Sequence, residues 1–382
     1  MSFRRLYRPA GIFLWVLDSR TDFEGQMKKY LFLSLAIILF FWPFLSLFGP
    51  ARLRDYIYRT YTYAVIADQA IGDAADTQLA AERVLDFIHC SVFVPFSAPP
   101  VDATPLNDLA SGIARCDQQG NIFAQLLSFK GIEASFIDLR GNSRYRTHSV
   151  ARVLINGRWG IVDIMHGVIL KDSSGAIAEF KDIQNKNPAF RSSRKGDFNS
   201  EWFVGFYNNL FAPDYPPNYW APPIIKVSGT RKVLRNLVVF YHDLLGKVYF
   251  SLFQDAYLLA VRNLAHEAFD LTRPDERLYY RARNYQLCAR FARAREAYQE
   301  LARKFPESQY AERAAVFNMS VLMKEGEWKA ARDGLKDFLK SNKAHNWISV
   351  AENFLEWCNY HLEGGALPEE ASDVVPEAFY FR

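Results

Sequence analysis

Three residues stand in settings that suit nucleophilic chemistry: Cys116, His148 and Asp163. Cys116 opens a stretch in which Ile122, Phe123, Leu126 and Leu127 fall at helical spacing and which closes at Gly131. Its sulfur is therefore expected at a helix N-terminus, over a helix running to about Lys130. Unpaired amides and the positive end of the helix dipole favour thiolate over thiol there, and Arg115 adds to that field. Thiolate is the form that attacks a carbonyl. The Cys116 amide is also placed to hold an oxyanion, while Asp117 opposes thiolate charge.

His148 and Asp163 sit on two runs that read as strands, His148 to Ile155 and Arg158 to Met165. Asn156-Gly157 between them is a two-residue hairpin signal. That turn sets Ile155 opposite Arg158 and His148 opposite Met165, which puts Asp163 diagonal to His148 on one face. Diagonal neighbours lie about 7–8 Å apart at the backbone, within reach of side chains. Asp163 would hold one imidazole nitrogen while the other faces Cys116. Taken singly, each also fits a bland role, a core histidine or an aspartate binding loop amides. His166 is a second candidate base, and a metal-dependent enzyme using Cys116, His148 and His166 is a further reading. His89 beside Cys90 fits packing or solvent exposure.

The other cysteines, Cys90, Cys288 and Cys358, form no CxxC pair, zinc spacing or disulfide scaffold, and read as small buried residues. No Gly-rich phosphate loop and no H-E-x-x-H motif occurs, so no cofactor is expected. With 46 basic and 42 acidic residues, the net charge of +4 is too balanced for nucleic acid to be the main partner.

The segments GIARCDQQGNIFAQLLSFKGIEASFIDL and HSVARVLINGRWGIVDIMHG resemble the transglutaminase-like superfamily. The shared features are the Cys on a helix N-terminus, the Gly131-Ile132 step, the His opening a strand, Gly157 to Trp159, and Asp163 after that strand. Ile164 stands where the family often has Pro. The resemblance covers about residues 75–170. It implies a papain-like α+β core, with the cysteine helix packed on an antiparallel sheet. It also implies acyl transfer through a thioester, with Cys116 as nucleophile, His148 as base and Asp163 as orienter. The substrate would be a peptide or protein. Inactive scaffolds also belong to the family.

Other elements must position these residues. A helix is expected from about Asp76 to Ile88, turns around Pro99, Pro100 and Pro105, and a strand over Ile132 to Leu139. Residues 51–75 read as a connector into the first soluble domain, and residues 171–228 as loop-rich. From about 231 the chain turns helical. Phe291, Ala294, Ala297, Tyr298 and Leu301 return 37 residues later as Trp328, Ala331, Gly334, Leu335 and Phe338, which resembles tetratricopeptide-type repeats. Such repeats would recruit a protein partner. Arg277, Arg281, Arg283, Arg290, Arg293 and Arg295 read as a solvated helix face, or as a surface for an acidic partner or lipid headgroup.

Leu31 to Gly49 carries no charge and is long enough for a bilayer core of about 30 Å. Arg4, Arg5, Arg8, Arg20, Lys28 and Lys29 precede it, so the N-terminus is expected in the cytoplasm and the remainder in the periplasm. The expected organisation is a cytoplasmic segment (1–30), a single transmembrane helix (31–50), a transglutaminase-like domain (51–228) and a helical repeat domain (229–382). The chain would sit in the inner membrane, as a thiol enzyme or as an inactive assembly scaffold for envelope or polysaccharide machinery.

Overall fold

The computed structural model describes residues 23–93, 104–141, 147–169, 177–179, 210–211, 230–260, 273–341 and 347–363. The fold is mixed α+β and mostly helical, with one small antiparallel sheet. The chain divides into two compact units, Met1–Arg54 and Asp55–Arg382.

In the first unit, α1 (Phe23–Leu45) contains Pro43 and is followed by a short 3-10 turn, Ser46–Phe48. Among the described residues, no single helix is long and apolar enough to cross a membrane. Lys28–Ile38 and Phe40–Ser46 pass that test together, bent by 45°. In place of the expected single spanning helix over 31–50 there is this bent pair, and Pro43 near the bend removes one ladder hydrogen bond.

The second helix, α2 (Ala51–Ile71), occupies what the sequence suggested was a connector. Tyr and Thr at alternate positions hide its helical pattern, yet Ile57, Tyr61, Val65 and Ile66 are all buried at helical spacing. Next comes α3 (Thr77–Ser91), capped by Asp76, whose side chain accepts from the Leu79 amide at 2.8 Å. Pro105, expected in a turn, instead opens α4 (Pro105–Ser111) at the first helical position, where its missing N–H costs nothing. Pro99 and Pro100 lie outside the described residues.

The helix α5 (Cys116–Ser128) starts at the cysteine, and Gly131 beyond its end takes a left-handed φ of 72°. Ile122, Phe123, Leu126 and Leu127 are fully buried against β1 (Ala134–Gly141) and β2 (Thr147–Ile155). Gly120 lets the helix approach the sheet, since a Cβ there would lie 2.8 Å from the Phe136 Cβ. Then come β3 (Arg158–Asp163), β4 (Val168–Ile169) and β5 (Leu210–Phe211). The strand order is β4-β3-β2-β1-β5. Asn156 (φ 50°) and Gly157 (φ 81°) form the hairpin turn, and Ile155 faces Arg158 as its length requires. The edge strands β4 and β5, of two residues each, are too short to be read from sequence.

The helices α6 (Thr230–Ala260), α7 (Pro274–Leu287), α8 (Phe291–Lys304), α9 (Ala311–Lys324), α10 (Trp328–Ser341) and α11 (Ile348–Glu363) complete the chain. The starts of α7 and α9, and those of α8 and α10, are 37 residues apart. Ala294, Ala297, Tyr298 and Leu301 on α8 are buried, as are Ala331, Leu335 and Phe338 on α10. The arginine stretch is not a uniformly solvated face. Arg283 is 1% exposed. Arg281 pairs with Glu300, Arg290 with Asp255, Arg293 with Glu296, and Arg295 with Glu325 and Glu327. The reason is that α7 packs on α8 and α4, which turns part of its basic face inward.

Candidate functional site

Cys116 is the first residue of α5, half-buried, while Arg115 before it points to solvent. Two glutamines pin this helix start. Gln118 accepts from the Arg115 amide at 2.9 Å and donates to Asp108 of α4 at 3.0 Å. Gln119, buried, donates to the Ala114 carbonyl at 3.0 Å. The orphan groups at the helix start are thereby partly satisfied by side chains, which fixes where the sulfur sits.

The other two residues come from the hairpin. Antiparallel pairing runs from Ile155↔Arg158 to Ala151↔Val162. Continued, that register keeps His148 and Asp163 on one face, as the turn length demanded. His148 is 5% exposed and Asp163 fully buried. His148 Nε2 lies 2.9 Å from Asp163 Oδ2. Cys116 lies close enough for His148 to act on its thiol, and with Nε2 on Asp163 the ring nitrogen left for the sulfur is Nδ1. Of the three residues singled out from the sequence, the structure places His148 and Asp163 in direct contact, with Cys116 near enough for its thiol to feel His148.

Electrostatics follow from these contacts. Burial of Cys116 favours the neutral thiol, but the His148 hydrogen bond and charge, and both the amide and hydroxyl of Ser149, outweigh it and lower the thiol's pKa. His148 and Ser149 thus supply the bias toward thiolate, while the Arg115 side chain is exposed to solvent. Burial of His148 favours the neutral ring, but Asp163 and then Cys116 push it up to about 10. Burial of Asp163 favours the protonated acid, yet His148 and His166 hold it well below the usual carboxylate range. These directions all favour a thiolate–imidazolium pair backed by a carboxylate.

His166 joins the cluster through Asp163. Its Nδ1 lies 2.8 Å from Asp163 Oδ2, and its amide donates to Oδ1 at 3.2 Å. As bound in this way, it faces the orienter rather than the sulfur, unlike the second base it was a candidate for. Ligand atoms of His148, Asp163 and His166 lie within 4.8 Å of one another. Hydrogen bonds of 2.8 and 2.9 Å account for that closeness, so the cluster is read as hydrogen-bonded. It also differs from the Cys116–His148–His166 set. His89 is on α3, away from these residues in sequence, and Cys90, Cys288 and Cys358 are buried and in no disulfide.

Sequence reasoning missed Ser149, Gln118 and Gln119. Ideal alternation along β2 would put the Ser149 side chain on the face opposite His148, so nothing in the periodicity marks it as a partner of Cys116. The glutamine at the third helical position was a visible capping signal.

No protein-family model matches this sequence, and no curated protein is significantly similar to it. One solved structure is similar, a candidate cysteine protease from Cytophaga hutchinsonii, at 12% identity and a TM-score of 0.26. The match covers 30% of this chain and 43% of that one, so the chain spans less than half of that protein's length.

Proposed function

We propose that this chain is a thiol hydrolase or acyltransferase with a transglutaminase-like site, acting on amide or ester carbonyls of peptides or proteins. One observation carries the reading: Asp163 bonds His148, which biases toward thiolate the thiol of a cysteine at a helix N-terminus.

In this mechanism the Cys116 sulfur attacks the carbonyl carbon and forms a C–S bond. The oxyanion of the tetrahedral intermediate lies near the Cys116 amide at the helix start. The C–N or C–O bond breaks as His148 gives its Nδ1 proton to the leaving group. Water or an amine, deprotonated by His148, then attacks the thioester, and the sulfur departs as thiolate. Asp163 holds the imidazole and stabilises its cation throughout.

The same proposal places the site outside a membrane, with a single-pass anchor in 31–50 and the N-terminus in the cytoplasm. Its support is the charge-free run and the exposure of Leu31 (70%), Phe32 (56%) and Ile38 (55%) on α1. The 37-residue spacing of helix pairs supports a partner-recruiting, tetratricopeptide-like role for the C-terminal helices. That spacing also favours a second reading, an inactive scaffold for envelope machinery, in which Cys116→Ala has no effect on function.

The test is the alkylation rate of Cys116 against pH in the intact protein, read by mass spectrometry, with His148→Ala beside it. Fast labelling below pH 7 that weakens in the variant supports the enzyme. A rate that rises only near the ordinary thiol pKa of about 8.5, unchanged by the variant, sinks it.

A further inference from the structure

Two histidines reach the buried Asp163 carboxylate through three hydrogen bonds, two of them from His166. His148 Nε2 and His166 Nδ1 converge on Oδ2, at 2.9 and 2.8 Å, while the His166 amide reaches Oδ1 at 3.2 Å. We infer that His166 is a positioning residue of the thiol site, clamping Asp163 so that His148 keeps Nε2–H on the carboxylate and Nδ1 toward Cys116.

The local chain builds this clamp. Residues Ile164 to Gly167 turn between β3 and β4, with the Gly167 amide donating to the Ile164 carbonyl at 3.1 Å. Gly167 takes a φ of 66°, open to glycine at little cost. The turn folds His166 back over Asp163, three residues earlier, with its ring centroid 5.2 Å from that of His148 and the planes 56° apart. That tilt lets both N–H groups aim at one oxygen.

The tautomers follow from valence. An ionised carboxylate only accepts hydrogen bonds, so each imidazole nitrogen facing it carries a proton. His148 therefore has Nε2–H, and when neutral its Nδ1 lone pair faces the sulfur. A fully buried carboxylate that lost the His166 ring donor would protonate, turn or draw in water, and His148 would lose its fixed partner. The charged and titratable groups set around Asp163 are His148 from β2, His166 from the turn, and Cys116 from α5 through His148.

The inference rests on the proposed thiol chemistry only in its kinetic arm, so two readouts are used on the full chain. His166→Phe keeps ring volume without the side-chain donor, and His166→Asn restores a donor where Nδ1 stood. The first readout is the downfield proton NMR signal of His148 Nε2–H, assigned by its loss in His148→Gln. The expected result is that this signal moves or exchanges away in His166→Phe and persists in His166→Asn. An unchanged signal in His166→Phe overturns the inference, whatever the sulfur does. The second readout is the pH profile of Cys116 alkylation. Its acid limb should move to higher pH in His166→Phe, with labelling near pH 6 slowed about tenfold, as for loss of a bond to a charged group, and recover in His166→Asn. A shift to lower pH would mean that His166 competes with His148 for the carboxylate, and would also overturn the clamp. A wild-type profile of an ordinary thiol would sink the enzyme reading alone, leaving the NMR signal to decide on His166.

Discussion

Replacing Asp163 by Asn keeps the shape of the site and removes its charge. The carboxylate accepts two imidazole N–H groups on Oδ2 and one amide N–H on Oδ1. An asparagine has one oxygen and one NH2 group. Turning NH2 toward the imidazoles makes two donor–donor contacts, whereas turning it toward the His166 amide makes one. The second orientation is expected, so the imidazole bonds survive in neutral form. An opposite charge at this range moves a pKa by about 1–3 units, so His148 loses that much support for its cation. The sign follows. With a weaker imidazolium, Cys116 ionises only at higher pH, and the acid limb of its alkylation profile moves up by about 1–3 pH units. Near pH 6 the rate should fall at least about tenfold, and near pH 10 the two profiles should converge because the thiol then ionises unaided. Convergence also serves as the control for access to the sulfur. One buried donor–donor contact should lower stability by about 1–3 kcal/mol, read by chemical denaturation. A variant profile that superposes on the wild type would refute the electrostatic argument, and a uniform fall at every pH would point to disrupted structure instead.

The His148 pKa, raised from 6.5 to about 10, makes its contribution to stability complete below pH 6.5 and lost as pH rises through 10. Asp163, held below its ordinary 3.8, contributes above that value and loses its contribution as pH falls through its folded pKa. The difference in unfolding free energy between wild type and His148→Gln should thus be flat near pH 5–6, and shrink on the alkaline side; a difference that grows there would contradict the sign. Arg283 donates to the carbonyls of Ser91 and Leu109, each at 2.9 Å, and stacks 3.7 Å from the Phe317 ring. It thereby joins α7 to the ends of α3 and α4. Arg283→Met should cost about 2–5 kcal/mol by denaturation, because buried acceptors lose their donor, and a change under about 0.5 kcal/mol would show these bonds to be dispensable.

How much of this was legible in the sequence depended on the range of each signal. Cys116 at a helix start, the hairpin at Asn156-Gly157 and the shared face of His148 and Asp163 were all readable, since each depends on neighbours within about one element. The helix at 51–71 was not, because Tyr and Thr carry strand propensity and burial overrode it. The arginines of α7 and α8 looked solvated because periodicity does not say what a face packs against. The sequence by itself determined the order and period of the elements around the site, through local backbone preferences. Only the tertiary structure decided that Ser149 supports the sulfur, that His166 shares Asp163 with His148, and that Arg283 is buried. Those contacts join residues through space, where the desolvation of a charge, rather than chain spacing, selects the partner.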